Sequence, residues 1–336
     1  MAHLTGRRTT PTTTFSPADA AREVALAEPR IRPHIRQTPL DPSVFLSQQT
    51  GGDVHLKLEC VQVSGSFKAR GAFNKLLSLS QDERARGIIA ASTGNHGLAV
   101  AGALGALGIA GEIFLPSTVS PAKLDGLRSR GARVRLLDED AGVVETLARR
   151  EAERTDRVYV SPYNDAQVIG GQGTVAGELL RQLEGLDAVL VPVGGGGLIA
   201  GMAAHLKERA PQVRIVGCQP AACTIMVESV KAGRIVELPS GPTASDATVG
   251  LVEDGAITLP ICQTCVDEWI VVDEPALRAA LRLVLERQSV LIEGASALPV
   301  AGLLAEPERW RGARVALILS GSHIALPRLA EVLQGS

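Results

Sequence analysis

Ala188-Val189-Leu190-Val191-Pro192-Val193-Gly194-Gly195-Gly196-Gly197-Leu198-Ile199-Ala200-Gly201-Met202-Ala203-Ala204 joins an apolar run of strand length to an apolar run of helical character through four consecutive glycines. Four glycines cost more backbone entropy than a turn requires. The chain must therefore need what only glycine supplies there, a positive φ and bare backbone in contact with a ligand. With a helix starting directly after them, unpaired N–H groups and the positive end of the helix dipole converge on one point. That arrangement is an anion cup, and phosphate is its usual occupant. The bland alternative is a hinge or a plain strand-to-helix turn, for which fewer glycines suffice.

The two common nucleotide fingerprints do not match. A dinucleotide fold places G-x-G-x-x-G after an early strand, with an acid about 20 residues on. This run lies past mid-chain, and Glu208-Arg209-Ala210-Pro211-Gln212-Val213 offers no clean counterpart. A P-loop continues Gly-Lys-Ser/Thr, whereas Gly197 is followed by Leu198-Ile199. The phosphate belongs to another molecule.

Lys68 supplies the second clue, in Ser64-Gly65-Ser66-Phe67-Lys68-Ala69-Arg70-Gly71. Framed by small and apolar residues at the head of a helical run, its amine is placed where desolvation lowers the pKa. Such a lysine serves as a nucleophile toward an aldehyde or as a base; a surface lysine without a role is the alternative. A phosphate cup and a buried lysine together point to pyridoxal 5′-phosphate, which carries both a phosphate and an aldehyde.

Five motifs now stand in order: the 64–71 stretch, Ser92-Thr93-Gly94-Asn95-His96-Gly97, Gly170-Gly171-Gln172-Gly173-Thr174, the glycine run, and Ser320-Gly321-Ser322. In that order the chain resembles the serine/threonine dehydratases. These are fold-type II pyridoxal phosphate enzymes related to the tryptophan synthase β subunit. The resemblance runs from about residue 30 to about residue 327. The lysine context looks like the dehydratases rather than the cysteine synthases. The Ser-Thr-Gly-Asn-His-Gly spelling also resembles the hydroxyectoine-utilisation dehydratases.

Composition agrees with a globular protein. At 336 residues and 45% hydrophobic, the chain has ample core for two domains. A net charge of −2 leaves no electrostatic footprint for nucleic acid or an anionic membrane. The longest uncharged apolar stretch, 98–111, is too short for a membrane span and reads as a buried helix. Residues 1–16 are Thr- and Pro-rich without an apolar segment, so a disordered tail is expected rather than a signal peptide. Cys262-Gln263-Thr264-Cys265 has redox or zinc spacing, but one such pair among five cysteines is more simply coincidence. The cytoplasm is the expected compartment and no metal site is expected.

Strand-like runs at 54–58, 87–91, 110–115, 133–137, 188–193, 214–219, 269–272 and 314–319 alternate with helical ones. Several are continuously apolar, as strands buried on both faces are. The pattern predicts an α/β fold of mostly parallel, doubly wound open sheets. The resemblance implies a small domain at 81–159 inserted in a larger, cofactor-binding one built from 17–80 and 160–336, and a homodimer.

The resemblance also implies roles. Lys68 would hold the cofactor covalently and, once released, take the proton from the substrate Cα. Phe67 would line the cofactor and Asn95 would bond its ring hydroxyl. The backbone N–H groups of Ser92, Thr93, Gly94, Asn95 and His96 would hold the substrate carboxylate. Gly194 to Gly197 would cradle the phosphate. Glu293 would stand at the ring edge; read alone it is a helix-start acid. Ser320 would meet the pyridine nitrogen. A serine cannot keep that nitrogen protonated as an aspartate does, which weakens the electron sink and favours elimination over transamination.

Three departures limit the resemblance. Ser322 and His323 replace a glycine and an asparagine, making that wall bulkier and more polar. Gln219 and Ile225 stand where metal-activated relatives have acids. Thr93 replaces the usual alanine; serine racemases have a serine there, as the proton donor on the second face. The expected activity is an ammonia-lyase that removes water and then ammonia from a small serine- or threonine-like β-hydroxy amino acid, giving a 2-oxo acid. A racemase of the same fold, or a binding protein that has lost catalysis, are the alternatives.

Overall fold

The structure, a computed structural model, describes residues 15–334. The described residues form ten strands: β1 Leu40–Pro42, β2 Asp53–Lys57, β3 Ile88–Ala91, β4 Gly111–Pro116, β5 Arg133–Leu137, β6 Val158–Tyr159, β7 Ala188–Pro192, β8 Arg214–Pro220, β9 Glu268–Val272 and β10 Arg314–Ile318. They make a six-stranded sheet in the order β1-β2-β10-β7-β8-β9 and a four-stranded sheet in the order β5-β4-β3-β6. Every pairing is parallel except β1 with β2.

The apolar strands are buried on both faces because each face meets a different core. In β7, Val189 and Val191 point into one hydrophobic cluster while Ala188 and Leu190 point into the other. In β3, Ile88 and Ala90 face one cluster of the smaller sheet, Ile89 and Ala91 the second. The period of two along a strand divides a continuous apolar run between two layers of helices. The expected doubly wound architecture is the one observed.

The four-stranded sheet occupies 88–159, and the six-stranded one takes its strands from both sides of that segment. Helix Lys68–Ser78 nevertheless buries Ala69, Ala72, Phe73 and Leu76 in the same cluster as Ile88 and Ala90. The Gly170-Gly171-Gln172-Gly173 motif lies in helix Ala166–Gln182 and is a packing seam. A Cβ on Gly171 would stand 2.5 Å from the Arg70 carbonyl, and one on Gly173 2.3 Å from Val24. Only bare backbone lets these helices cross so closely.

Of the expected tail, residues 1–14 lie outside the described residues. Ser16 belongs to the fold: it caps helix Pro17–Ile31 in a capping box with Asp19.

Candidate active site

The chemistry-bearing segments lie at or beyond the carboxyl ends of parallel strands, where open α/β sheets place their ligands. Residues 92–94 follow β3, the glycine run follows β7, and Ser320 follows β10. Lys68 comes from the long connection after β2, which is stitched to the end of β10. Cys60 N–H donates to Leu319 O (2.8 Å), Phe67 N–H to Ser320 O (3.0 Å) and Ser322 N–H to Gly65 O (3.0 Å). These bonds set Lys68 beside Ser320 with little freedom.

Lys68 opens helix Lys68–Ser78 and is half-buried. Its Nζ donates to Pro162 O at 2.7 Å and lies 5.1 Å from the Phe67 ring centroid. Desolvation pulls the amine down to about 8, against the charges of Glu293 and Glu145. With the amine at about 8, roughly a tenth of it is neutral at pH 7, far more than for an ordinary lysine, which makes it a competent nucleophile and base.

The glycine run has the geometry of an anion cup. Gly196 sits at φ +87 as the N-cap of helix Gly197–Arg209, and no side chain caps that helix. Its first turn closes with Ala200 N–H on Gly196 O, so the preceding N–H groups project from the helix end. The run is also packed from one side. A Cβ on Gly195 would lie 2.5 Å from the Tyr163 ring, and one on Gly197 3.0 Å from Tyr163 Cα. Thr258 Oγ1 donates to Gly195 O at 2.9 Å. Sequence reasoning assigned the missing side chains to a phosphate alone; the Tyr163 ring claims part of that space.

Asn95 begins helix Asn95–Leu107, which also lacks a side-chain cap. Its Nδ2 donates to both oxygens of Glu293, at 2.8 and 2.9 Å, so the two expected residues meet across the two sheets. Burial raises the Glu293 carboxyl to about 7 despite the bond from Asn95. Ser92 and Thr93 stand half-buried on the rim, with Ser92 Oγ accepting from Gly94 N–H at 3.2 Å. His96 turns away from the rim: its buried Nε2–H donates to Val160 O at 2.9 Å. Burial and the Lys68 charge push that imidazole down to about 3, so it stays neutral and offers the site only its backbone. Ser320 is fully buried, with its Oγ 3.3 Å from Ser296 Oγ.

Pro162, Tyr163, Thr258 and Ser296 were not legible as site residues. Ser161-Pro162-Tyr163-Asn164-Asp165 reads as a turn leading to an N-cap, and nothing in its spacing aims a ring at glycines. Gln219 is a structural tie. Its Nε2 donates to Val193 O at 3.3 Å and its Oε1 accepts from Val227 N–H at 2.8 Å, while Ile225 is buried in the apolar core. Among the described residues no group of three or more His, Cys, Asp or Glu side chains is placed to hold a metal. All five cysteines are free and buried, and burial raises the Cys262 thiol.

A lowered lysine amine, a glycine-built helix N-terminus and buried hydroxyls beyond β10 fit a cofactor with an aldehyde, a phosphate and a ring nitrogen. The unpartnered Ser66 Oγ, fully buried two residues before Lys68, adds an uncommitted donor to the same loop. These features suit pyridoxal phosphate. The sequence profile of the pyridoxal-phosphate dependent enzymes matches residues 31–321, and the chain belongs to that family. Pyridoxal phosphate is its cofactor.

The chain is 36% identical to the L-threonine ammonia-lyase of Thermotoga maritima over 93% of its own length and 77% of that protein's. It is 34% identical to a serine racemase of Oryza sativa subsp. indica, over 91% of both chains. The solved structure of a processed threonine deaminase isoform from Solanum lycopersicum superposes with a TM-score of 0.90 at 30% identity, covering 98% of this chain and 94% of that one. The fold is that of the fold-type II, tryptophan synthase β-like enzymes.

Proposed function

We propose that this chain is an ammonia-lyase acting on a small serine- or threonine-like β-hydroxy amino acid, releasing a 2-oxo acid and ammonia. The observation that carries it is the fully buried Ser320 just after β10, whose hydroxyl lies 3.3 Å from that of the equally buried Ser296 in helix Gly294–Ala305. Hydroxyls there do not keep a ring nitrogen protonated as a carboxylate would, and a weaker electron sink favours expulsion of a β-substituent. When bound, pyridoxal phosphate supplies that sink and acidifies the substrate Cα–H.

The chain's own residues do the rest in this reading. Lys68 holds the cofactor, then accepts the Cα proton on its Nζ. Phe67 would line the ring, Asn95 would bond its hydroxyl and Glu293 would stand at its edge. Gly194 to Gly197 cradle the phosphate. Backbone N–H groups of residues 92–96 hold the substrate carboxylate at the uncapped start of helix Asn95–Leu107. Segment 81–159 forms the smaller domain and the described residues on either side of it the larger one. The names of the lyase and deaminase relatives support the same activity.

Five free, buried cysteines suit a reducing cytoplasm. We place the enzyme there as a homodimer, which light scattering on a sizing column tests. The activity is tested by measuring 2-oxo acid and ammonia with serine, threonine and 3-hydroxyaspartate. Stoichiometric release from at least one is expected, and release from none by the loaded enzyme would overturn the reading.

The serine racemase likeness and the Thr93 hydroxyl on the rim support a second reading, in which the substrate is reprotonated on its other face.

A further inference from the structure

His323 departs from the family spelling after β10, and its contacts give that departure a use. The residue stands exposed on the rim, yet it reaches inward twice. Its backbone N–H donates to Glu293 Oε2 at 3.1 Å. Its ring Nδ1 meets Asn95 Oδ1 in a short hydrogen bond. An amide oxygen only accepts, so Nδ1 carries the proton and donates.

The Asn95 amide is therefore gripped at both ends. Its Nδ2 donates to the Glu293 carboxylate and its Oδ1 accepts from His323. Turning the amide over would set its oxygen against the carboxylate and its NH2 against the imidazole N–H. Both contacts would be repulsive with Glu293 ionised and the imidazole proton on Nδ1, and relieving them would take a proton on the carboxyl and a change of tautomer together. The imidazole is in turn held in place by Gly65, where a Cβ would stand 2.6 Å from Cε1 and 2.9 Å from Nε2. Ser322 ties the same turn to Gly65 through its N–H (3.0 Å) and its hydroxyl (3.2 Å) on the Gly65 carbonyl. The loop that delivers Lys68 thus also seats His323.

We propose that His323 is a positioning residue, which fixes the rotation of the Asn95 amide and so decides which group Asn95 presents to the cofactor's ring hydroxyl. The proposal rests on the reading of Asn95 as the residue that bonds this hydroxyl.

The test compares wild type with His323→Ala, His323→Phe, His323→Gln, Asn95→Ala and the Asn95→Ala/His323→Ala double variant. His323→Phe keeps the ring's volume without its donor. Three readouts are taken: the visible absorption maximum of the bound cofactor, the Kd for pyridoxal phosphate titrated into the apo chain, and the Tm. His323→Ala and His323→Phe should shift the band in the same direction as Asn95→Ala and weaken cofactor binding roughly tenfold, the scale of one net hydrogen bond. His323→Gln, which keeps an N–H donor, should recover most of both. Adding His323→Ala to Asn95→Ala should change neither further.

If Asn95→Ala shifts the band while both His323 truncations keep the wild-type band and Kd, the positioning role is refuted and the reading of Asn95 stands. If Asn95→Ala itself changes neither, that reading is wrong and the proposal goes with it. Equal losses in all three His323 variants, with a lowered Tm, would mean that His323 only packs the rim, which also refutes it.

Discussion

The Tyr163 ring lies where a Cβ on Gly195 would stand, with Cγ and Cδ1 both at 2.5 Å, while its hydroxyl accepts Glu253 N–H at 2.8 Å. The ring thus excludes a side chain at Gly195, and the phosphate proposed to bind there would exclude one too; the two demands are separable. Gly195→Ala should displace the ring, destabilise the apo chain by about 1–3 kcal/mol as overpacking does, and weaken pyridoxal phosphate binding. Adding Tyr163→Leu should return much of the apo stability without returning the cofactor affinity. Melts of the apo chain and cofactor titrations check this. Full recovery of affinity in the double variant would show that the glycine serves the tyrosine alone.

Lys68 should be the lysine that carries the cofactor. Borohydride reduction of the holoenzyme followed by peptide mapping should place a stable pyridoxyl adduct there, and Lys68→Ala should lose the visible band. Two nearby lysines are the decoys. Lys57 is buried against Glu178 at 2.6 Å, and Lys75 pairs with Asp165 at 2.6 Å, so both amines are committed. A label on either would refute the assignment.

Glu178 anchors a buried charge cluster that should dominate acid sensitivity. Arg70 donates to both its oxygens at 2.9 Å, Lys57 to Oε2 at 2.6 Å and Arg32 to Oε1 at 2.8 Å. Burial pushes this carboxyl up, but the Arg70 and Lys57 contacts outweigh it and leave it at about 2. Because the folded pKa is depressed, its contribution is present above the ordinary carboxylate pKa of about 4.5 and is lost as pH falls toward 2. Glu178→Gln should cost about 3–5 kcal/mol at pH 7, since it strands buried cations. In denaturant melts the gap between wild type and variant should narrow from about pH 4.5 downward. A gap that stays constant to pH 3 would contradict the cluster's role.

How much of this could be read beforehand depends on the range over which the physics acts. Of the eight strands recognised in the sequence, those buried on both faces, such as β3 and β7, write their burial as continuous apolar runs, while β5, with Arg133, Arg135 and Leu136 exposed, was recognised without one. β1 is a three-residue strand with Asp41 and Pro42 exposed, and β6 is two residues long, so neither leaves a pattern. The glycine run and Lys68 were legible because their chemistry is local. The Glu178 cluster was not, since Arg70 and Lys57 are 108 and 121 positions away. Tyr163 escaped for the same reason, as its partner Gly195 lies on a different strand end.

Divalent cations should not be needed. Gln219 spends both ends of its amide on Val193 and Val227, and Ile225 is buried among apolar side chains. Hard cations prefer anionic oxygens, which these positions do not supply. Activity should survive EDTA unchanged. A loss on chelation that Mg²⁺ or Mn²⁺ reverses would place a metal site elsewhere in the chain.

Thr93 decides between elimination and racemisation. A racemase needs proton donors on both faces of the substrate, and Lys68 can serve only one. Thr93 sits half-buried on the rim between β3 and helix Asn95–Leu107, and carries a hydroxyl. Its β-branched side chain is stiff at χ1, so the choice between presenting the hydroxyl or the methyl is made by the backbone rather than by the substrate. We expect elimination to dominate. The 2-oxo acid and the opposite enantiomer are measured in one incubation, with Thr93→Ala and Thr93→Ser as partners. Thr93→Ala should keep at least a third of the elimination rate, roughly the tolerance of a residue outside the bond-breaking step. Thr93→Ser, freed from the β-branch, should raise any racemisation. An enantiomer that forms faster than the 2-oxo acid in wild type, and disappears in Thr93→Ala, would make this chain a racemase.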